Sequence, residues 1–542
     1  MKNKPYLFYK VKSIRNLKEL VYTVAEKYGD SSAFTFERNN DVISISYREF
    51  KSDVDALGTA FIEDSVKNTK IAVIGENSYE WILTYFATVN SGNVIVPLDK
   101  ELKEADIKNL INDSGTEILV YSDEYNHISE YLIKNGANIR HYIRMEKLHE
   151  LIKSGKALIE QGDSRMVDYE VDSHSLCTLL YTSGTTGAPK GVMLSHSNIA
   201  SNTVAASHHV WFYGNNMLVL PLHHSFAFTA AVCATLLEGS EIIINSSIVN
   251  VLSDLQKFKP HNMFLVPLFV ETFYKRIWEN AKKQGKDNLL KKMIGVSNSL
   301  LRIGIDIRNI IFKSVHNAFG GNLKVLVSGG APLETKYIHG LRDFGINVLN
   351  GYGITECSPI VSVNRNQYYR DGSVGLVLPC CDVKILEPDD SGHGEICVKG
   401  DNVMLGYYQN EWATAEAFDD EWFKTGDIGY IDNDGFLFIS GRAKNLIVLS
   451  NGKNVYPEEI ESTLLSNIPY IKETIVYAER NTIIAEIFLD IENDPDCSFR
   501  LEKDIADFNR TLPLYMNIDK TIIRDMEFPK TTTKKIKRTY NG

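Results

Sequence analysis

A chain of 542 residues is longer than one small core can cover, so two or more domains are expected. Hydrophobic residues at 44% and charged residues at 23% are ordinary globular values. The formal charge of −11, from 58 basic and 69 acidic residues, offers no electrostatic footprint for nucleic acid. No apolar run reaches the roughly 18–20 residues that a membrane span requires. The N-terminal "MKNKPYLFYKVKSIRNLKEL" has its apolar residues broken up by Lys and Arg, so it forms no signal-peptide core. Seven cysteines without a CxxC pair suit a reduced compartment, and a cytoplasmic location is expected. Vicinal Cys380 and Cys381 read as core residues rather than as a redox pair.

In chain order, "KIAVIG" from Lys70 reads as a buried strand. "NSYEWILTYFATVNSG" follows with helical period, with Asn77 as N-cap, and "NVIVPLD" returns to strand. The alternation repeats at "EILVY", "EIIIN", "HNMFLVP" and "LKVLVSGGAPL", which predicts parallel sheets covered on both faces. Between Lys275 and Gly320 two or three helices are expected, with ten Lys/Arg against three Asp/Glu. This segment is either a solvated helical face or a cationic surface for anionic membrane or CoA phosphates. After about Gly372, closely spaced strands ("SVGLVLPCCDVKILEP", "GEICVKG", "GFLFISGR") predict a small antiparallel sheet or barrel. From about Leu446 a mixed unit begins, with a helix at "YPEEIESTLLSN" and strands at "ETIVYAE" and "IIAEIFLD", and it ends on a basic tail.

The chemistry-bearing stretch is "LLYTSGTTGAPKGVMLSH". From Thr182 to Gly191 it holds three glycines, four Ser/Thr hydroxyls and Lys190, directly after an apolar strand. The glycines permit close backbone approach, the hydroxyls add donors and the lysine adds a point charge, which together suit a polyphosphate. The spacing is not that of a Walker A loop, because glycine rather than Ser/Thr follows the lysine. Downstream lie "VSGGAPL", "NGYGITE", "FKTGDIGY", "SGRAKNL" and "FPKTTTKKIKR". Asp427 can accept both hydroxyls of a ribose, and the fork of Arg442 suits ribose and phosphate oxygens.

Taken in this order, the motifs resemble those of the adenylate-forming superfamily of acyl-CoA synthetases, peptide-synthetase adenylation domains and firefly-type luciferases. The likeness runs from about residue 30 to the C-terminus. It implies an α/β fold: a large N-terminal domain of two doubly wound α/β subdomains plus a distorted β-barrel, then a small mobile α+β C-terminal domain. The expected bounds are 1–441 for the N-terminal AMP-binding domain, with the helical insertion at about 275–320. A hinge at 442–446 and the mobile domain at 447–542 follow.

The resemblance also implies roles. Thr182, Ser183, Gly184, Thr185, Thr186, Gly187 and Lys190 form the phosphate loop. Gly329, Gly330 and Ala331 line the adenine and acyl-carboxylate region, Asn350 reaches the adenine amino group, and Tyr352 stacks on adenine. Thr355 contacts the α-phosphate and Glu356 holds Mg²⁺, a hard cation that prefers one or two carboxylates plus phosphate oxygens. Lys444 marks the hinge, and Gly452 lets the pantetheine of CoA pass. The catalytic lysine falls on Lys535. Lys534 stands where glycine is usual, so exchanged roles for the two lysines stay open.

The window His223-His224-Ser225-Phe226 lacks the aspartate with which amino-acid-activating relatives pair a substrate ammonium, which disfavours an α-amino acid. Adjacent histidines on a strand point to opposite faces, which disfavours a shared metal. By resemblance, His224 lies beside the acyl site and Phe228 is an aromatic gate. Ala227, Ala230, Ala231 and Ala234 either leave room for an acyl tail or serve close helix packing. The 275–320 insertion and "GEICVKGDNVMLGYYQNEWAT" resemble the long-chain fatty acyl-CoA synthetases.

The implied reaction joins a medium- to long-chain acid to ATP, giving acyl-AMP and pyrophosphate, and then passes the acyl group to CoA. Two alternatives stay open: a fatty acyl-AMP ligase that loads an acyl carrier protein, and a non-catalytic nucleotide-binding protein. No side-chain nucleophile is required, so Cys357 receives no covalent role.

Overall fold

The computed structural model describes residues 7–63, 69–182, 189–245, 247–449, 453–479, 482–530, 536 and 538. It divides into two compact units, Met1–Asp382 with Val398–Phe423, and Val383–Cys397 with Lys424–Gly542.

The first unit is built on two sheets. In the nine-stranded sheet, strands Val325–Ser328, Asn262–Leu265, Asn215–Leu218, Glu241–Ile244 and Ser32–Arg38 run parallel as consecutive neighbours. Asn347–Gly353 continues this parallel set beyond Val325–Ser328. Antiparallel strands close both edges: Asp41–Ser46 on one side, Ile360–Val363 and Leu376–Val377 on the other. The seven-stranded sheet has a parallel set of Leu176–Thr182, Val94–Pro97, Lys70–Ile74, Ile118–Tyr121 and His141–Arg144. Lys190–Ser195 and then Gly406–Tyr407 extend its edge in antiparallel fashion. The apolar runs read as buried strands do form these sheets, because a strand covered on both faces needs apolar side chains on both. Antiparallel edges were not anticipated.

Helix Tyr79–Asn90 is capped by Ser78, whose Oγ accepts the Trp81 N–H at 3.2 Å. The expected cap, Asn77, is instead used in tertiary structure. Its amide donates to Leu220 O at 2.8 Å and its Oδ1 accepts the Leu222 N–H at 3.0 Å. Either residue suits an N-cap by type; the link to 220–222 decides which one caps, and it fixes the chain just ahead of His223. The basic segment belongs to four helices, Pro267–Lys283, Asp287–Leu301, Arg308–Ile311 and Lys313–Ala318, rather than two or three.

The texture change after Gly372 corresponds to a five-stranded sheet containing Cys381–Leu386, Gly394–Gly400, Trp422–Ile431, Phe418–Asp419 and Leu437–Arg442. Further along the second unit, Ile471–Glu479 pairs antiparallel with Thr482–Leu489, which pairs parallel with Lys520–Arg524. Helices Pro457–Asn467 and Cys497–Asn509 cover that sheet around Ile460, Leu464, Val476, Ile487 and Leu501.

Candidate active site

Strands Leu176–Thr182 and Lys190–Ser195 form a hairpin in which Thr182 and Lys190 are register partners. The glycine-rich loop is therefore the hairpin's connection. Its residues Ser183, Gly184, Thr185, Thr186 and Gly187 lie outside the described residues. Lys190 lies at the root, with Nζ 4.8 Å from the centre of the Tyr407 ring. Tyr407 reaches it because Gly406–Tyr407 pairs with Met193 and Val192, and Tyr408 N–H donates to Gly191 O at 2.7 Å.

The same tyrosine serves Glu356, which follows strand Asn347–Gly353 in a 3₁₀ turn, Thr355–Cys357. Tyr407 donates its hydroxyl to Glu356 Oε1 at 3.0 Å, and Met404 N–H donates to Glu356 O at 2.8 Å. Burial, then the charge of Glu356, pushes the Tyr407 phenol well above its ordinary value, so it stays a donor. Glu356 Oε2 has no hydrogen-bond partner among the described residues. No cluster of three or more His, Cys, Asp or Glu side chains able to hold a metal ion occurs among the described residues. A single carboxylate with an open oxygen fits Mg²⁺, which keeps most of its waters and takes the rest of its shell from phosphate, rather than a caged Zn²⁺.

Two further loops and the strand leading into this turn complete its surroundings. Ser225 Oγ lies 3.5 Å from Thr355 Oγ1, which ties the His223–His224 segment to the Glu356 turn. Gly329 follows strand Val325–Ser328, and a side chain there would press on the Phe226 ring at 3.3 Å. Gly330 has φ +83°, a conformation that glycine adopts without strain, and Ala331 follows it in the same loop. Asn350 is buried; its amide donates to Ser373 O at 3.4 Å while Oδ1 has no hydrogen-bond partner among the described residues. Tyr352 is half-buried on the same strand.

His223 and His224 lie in a turn, not on a strand, and their rings approach to 4.2 Å between centroids, tilted at 52°. The expectation of opposite faces therefore fails, because strand alternation does not apply in a turn. Burial, reinforced by His224, pushes His223 down to about 3, and its Nε2 lies 3.4 Å from Asp99 Oδ1. His223 is thus neutral near pH 7.

After the turn the chain forms a π-helix, Phe226–Ala234. Phe228 stacks on Tyr85 at 3.5 Å between centroids, with Phe86 at 5.3 Å and Trp81 at 6.5 Å. The Tyr85 hydroxyl is held 2.6 Å from Thr178 Oγ1. The cavity that Phe228 shares with His224, Tyr85 and Thr229 measures about 10 Å³. That is roughly the space of one water. Ala227, Ala230, Ala231 and Ala234 are all buried, so close packing is the reading observed here.

In the second unit, Asp427 and Arg442 are register partners on adjacent strands, and Arg442 Nε donates to Asp427 Oδ1 at 2.8 Å. Asp427 is buried and Arg442 exposed. Lys444, in the 3₁₀ turn Ala443–Asn445, has its ammonium pKa lowered by partial burial, then by Arg442 and Arg538. Gly452, Lys534 and Lys535 lie outside the described residues. The sequence reading missed Tyr407, Tyr85 and Ser225. Tyr407 had a signal in the doubled tyrosine of "MLGYYQ", but nothing in the sequence couples it to Lys190 or Glu356.

With the glycines and hydroxyls of the sequence between Thr182 and Lys190, a lysine and a carboxylate that share Tyr407 and an Asp–Arg pair in the second unit suit a nucleotide-using α/β enzyme. The chain belongs to the AMP-binding enzymes: that family matches residues 21–408, and the AMP-binding enzyme C-terminal domain matches 444–540. Among curated relatives, a long-chain-fatty-acid–CoA ligase (FadD15) of Mycobacterium bovis is 29% identical over 86% of this chain and 85% of its own. Fatty acyl-CoA synthetase A of Dictyostelium discoideum is 30% identical over 82% of this chain and 71% of its own. Among solved structures, a fatty acyl CoA synthetase of Mycobacterium tuberculosis covers 96% of both chains with a TM-score of 0.68 and 21% identity. An anthranilate CoA ligase covers 98% of this chain and 96% of its own with a TM-score of 0.78 and 19% identity. The fold is that of adenylate-forming ligases, a large N-terminal portion followed by a smaller C-terminal one.

Proposed function

We propose that this protein is an AMP-forming acid–thiol ligase that activates a medium- to long-chain fatty acid and transfers it to CoA. ATP and CoA are cosubstrates. The acid's carboxylate attacks the α-phosphorus of ATP, expelling pyrophosphate and forming acyl-AMP. The CoA thiol then attacks the acyl carbon, loses its proton to solvent or base, and releases AMP. The observation that carries the reading is the Lys190–Tyr407–Glu356 cluster, in which one tyrosine holds a phosphate-loop cation and a carboxylate with an open oxygen.

In this reading Lys190 and the loop hydroxyls hold the β- and γ-phosphates, and Thr355 contacts the α-phosphate. Gly329, Gly330, Ala331, Asn350 and Tyr352 receive the adenine, with Asn350 Oδ1, which has no partner among the described residues, suited to an amino donor. Asp427 and Arg442 take the ribose. Mg²⁺, when bound, neutralises phosphate charge, and Glu356 is the residue that would hold it while Tyr407 fixes its carboxylate. Lys535 supplies positive charge between carboxylate and α-phosphate, where negative charge accumulates. Lys444 is the hinge and Gly452 the pantetheine passage. His224 and Phe228 stand at the acyl entrance, and Phe228 must leave Tyr85 before a chain can occupy the slot.

The test is acid-dependent pyrophosphate release with Mg·ATP across acids from acetate to oleate, with and without CoA. Release that peaks at long chains and turns over only with CoA is expected. A peak at acetate, or trapped acyl-AMP that CoA does not discharge but a holo-carrier protein does, would overturn the substrate or the acceptor respectively.

A further inference from the structure

The turn between strands Cys381–Leu386 and Gly394–Gly400 takes no part in acid activation, yet it holds a distant part of the chain. Asp389 uses its two oxygens differently. Oδ1 folds the turn on itself, accepting the N–H groups of Ser391 at 2.9 Å and His393 at 3.0 Å. Oδ2 accepts the Tyr456 hydroxyl at 3.0 Å and the Asn454 amide at 3.5 Å, 67 and 65 residues further on. His393 adds an aromatic contact to the same tyrosine. Its ring stacks on Tyr430 at 4.7 Å between centroids and meets Tyr456 edge-on at 5.2 Å, while Tyr430 lies flat on Phe438 at 4.8 Å. Burial, then the bond to Asp389, raises the Tyr456 phenol above its ordinary value, so it remains a donor.

All these residues belong to the second unit, but they stand on opposite sides of Lys444 in the chain. Asp389, His393, Tyr430 and Phe438 precede it; Asn454 and Tyr456 follow it. Other polar contacts nearby do not cross that point. The Asn445 amide donates to Glu458 Oε1 at 2.5 Å and Arg538 pairs with Glu461, and every one of those residues follows Lys444. They would turn as one body, whereas the bonds to Asp389 Oδ2 would not survive the turn.

We infer that Asp389 is a positioning residue that latches Asn454 and Tyr456 in one of two hinge positions and so sets the balance between the two half-reactions. The inference rests on the ligase reading for the pivot at Lys444 and for Gly452 as the pantetheine passage. Asn454 and Tyr456 lie two and four residues beyond that passage. Rotation about Lys444 breaks both Oδ2 bonds and draws Tyr456 off His393. A state held by contacts that the other state lacks is favoured by their free energy, so the latch shifts the population of the two.

Asp389→Asn separates the latch from the turn. The amide keeps an oxygen for the Ser391 and His393 N–H groups, and it offers the two latch donors an NH₂ group that cannot accept. In the full chain, acid-dependent ATP–pyrophosphate exchange reports the first half-reaction, and thioester formation from supplied acyl-AMP and CoA reports the second. Asp389→Asn should change the ratio of the two rates about fivefold, the scale of one hydrogen bond. A general loss of structure would lower both rates together and leave their ratio in place. Tyr456→Phe should move the ratio the same way by a smaller factor, and the double variant should move it no further than Asp389→Asn alone. An unchanged ratio, or additive effects in the double variant, would overturn the latch. Hydrogen exchange keeps failure of the latch distinct from failure of the ligase reading. Backbone amides of residues 453–456 should lose protection about fivefold in Asp389→Asn whatever the chain catalyses. Equal protection overturns the latch, whereas an unaltered chain without pyrophosphate exchange for any acid overturns the ligase reading.

Discussion

Glu356 lies in the turn after strand Asn347–Gly353 and Asp427 within strand Trp422–Ile431, and the two carboxylates are supported in opposite ways. Glu356 receives one hydrogen bond from a neutral phenol and keeps its other oxygen open, whereas Asp427 is buried and paired to the Arg442 guanidinium. A carboxylate on a neutral donor retains its full negative charge for a cation. One already balanced by arginine is better suited to accept hydroxyl protons than to hold a metal. Under the proposed function, this difference in partners is what suits Glu356 to Mg²⁺ and Asp427 to ribose.

The largest effect should follow Glu356→Gln, with adenylation reduced by about 10²–10³-fold, a size typical of removing one electrostatic stabiliser. In the same variant the Mg²⁺ concentration for half-maximal nucleotide binding, followed by titration calorimetry, should rise. A Glu356→Gln enzyme with an unchanged Mg²⁺ requirement would break the distinction between the two carboxylates.

Acid should strike the first unit next. Burial pushes His196 down to about 4 and His223 to about 3, so between those values and pH 6.5 the unfolded chain binds protons that the folded chain refuses. Stability is therefore lost as pH falls through that window, on the order of 3 kcal/mol for His196 alone. Denaturant melts from pH 7 to pH 4 should show the loss, and His196→Asn should flatten it. Asp427→Asn should raise KM for ATP about tenfold, the scale of one charge-assisted hydrogen bond, and leave the Mg²⁺ requirement alone. A shift in Mg²⁺ requirement there would merge the two roles. The smallest change is expected for Tyr407→Phe, which keeps the ring beside Lys190 and loses only the hydroxyl. A several-fold weaker Mg·ATP affinity is expected, corresponding to about 1 kcal/mol. An effect equal to that of Tyr407→Leu would mean that the ring, not its hydrogen bond, does the positioning.

The strands and the loops at their ends were legible because apolar runs and Gly-rich turns follow from local chemistry. Ser78 and Asn77 were not separable, since both suit a cap and a contact 143 residues away chose between them. The Tyr407 role was hidden for the same reason, with Glu356 lying 51 residues upstream on another element. The alanine stretch admitted both an open slot and a packed one, and Tyr85 from helix Tyr79–Asn90 closes it by stacking on Phe228. Residues 183–187, 452, 534 and 535 lie outside the described residues, and their roles rest on the resemblance of their motifs.

The most direct test supplies palmitate labelled with heavy oxygen on both carboxylate positions, together with Mg·ATP and CoA, and weighs the products. Attack of the carboxylate on the α-phosphorus, followed by thiol attack on the acyl carbon, predicts AMP carrying one heavy oxygen atom and a thioester carrying the other. Unlabelled AMP, or label in orthophosphate accompanied by ADP, would contradict an acyl-adenylate and with it the assignment of this chain as an AMP-forming ligase.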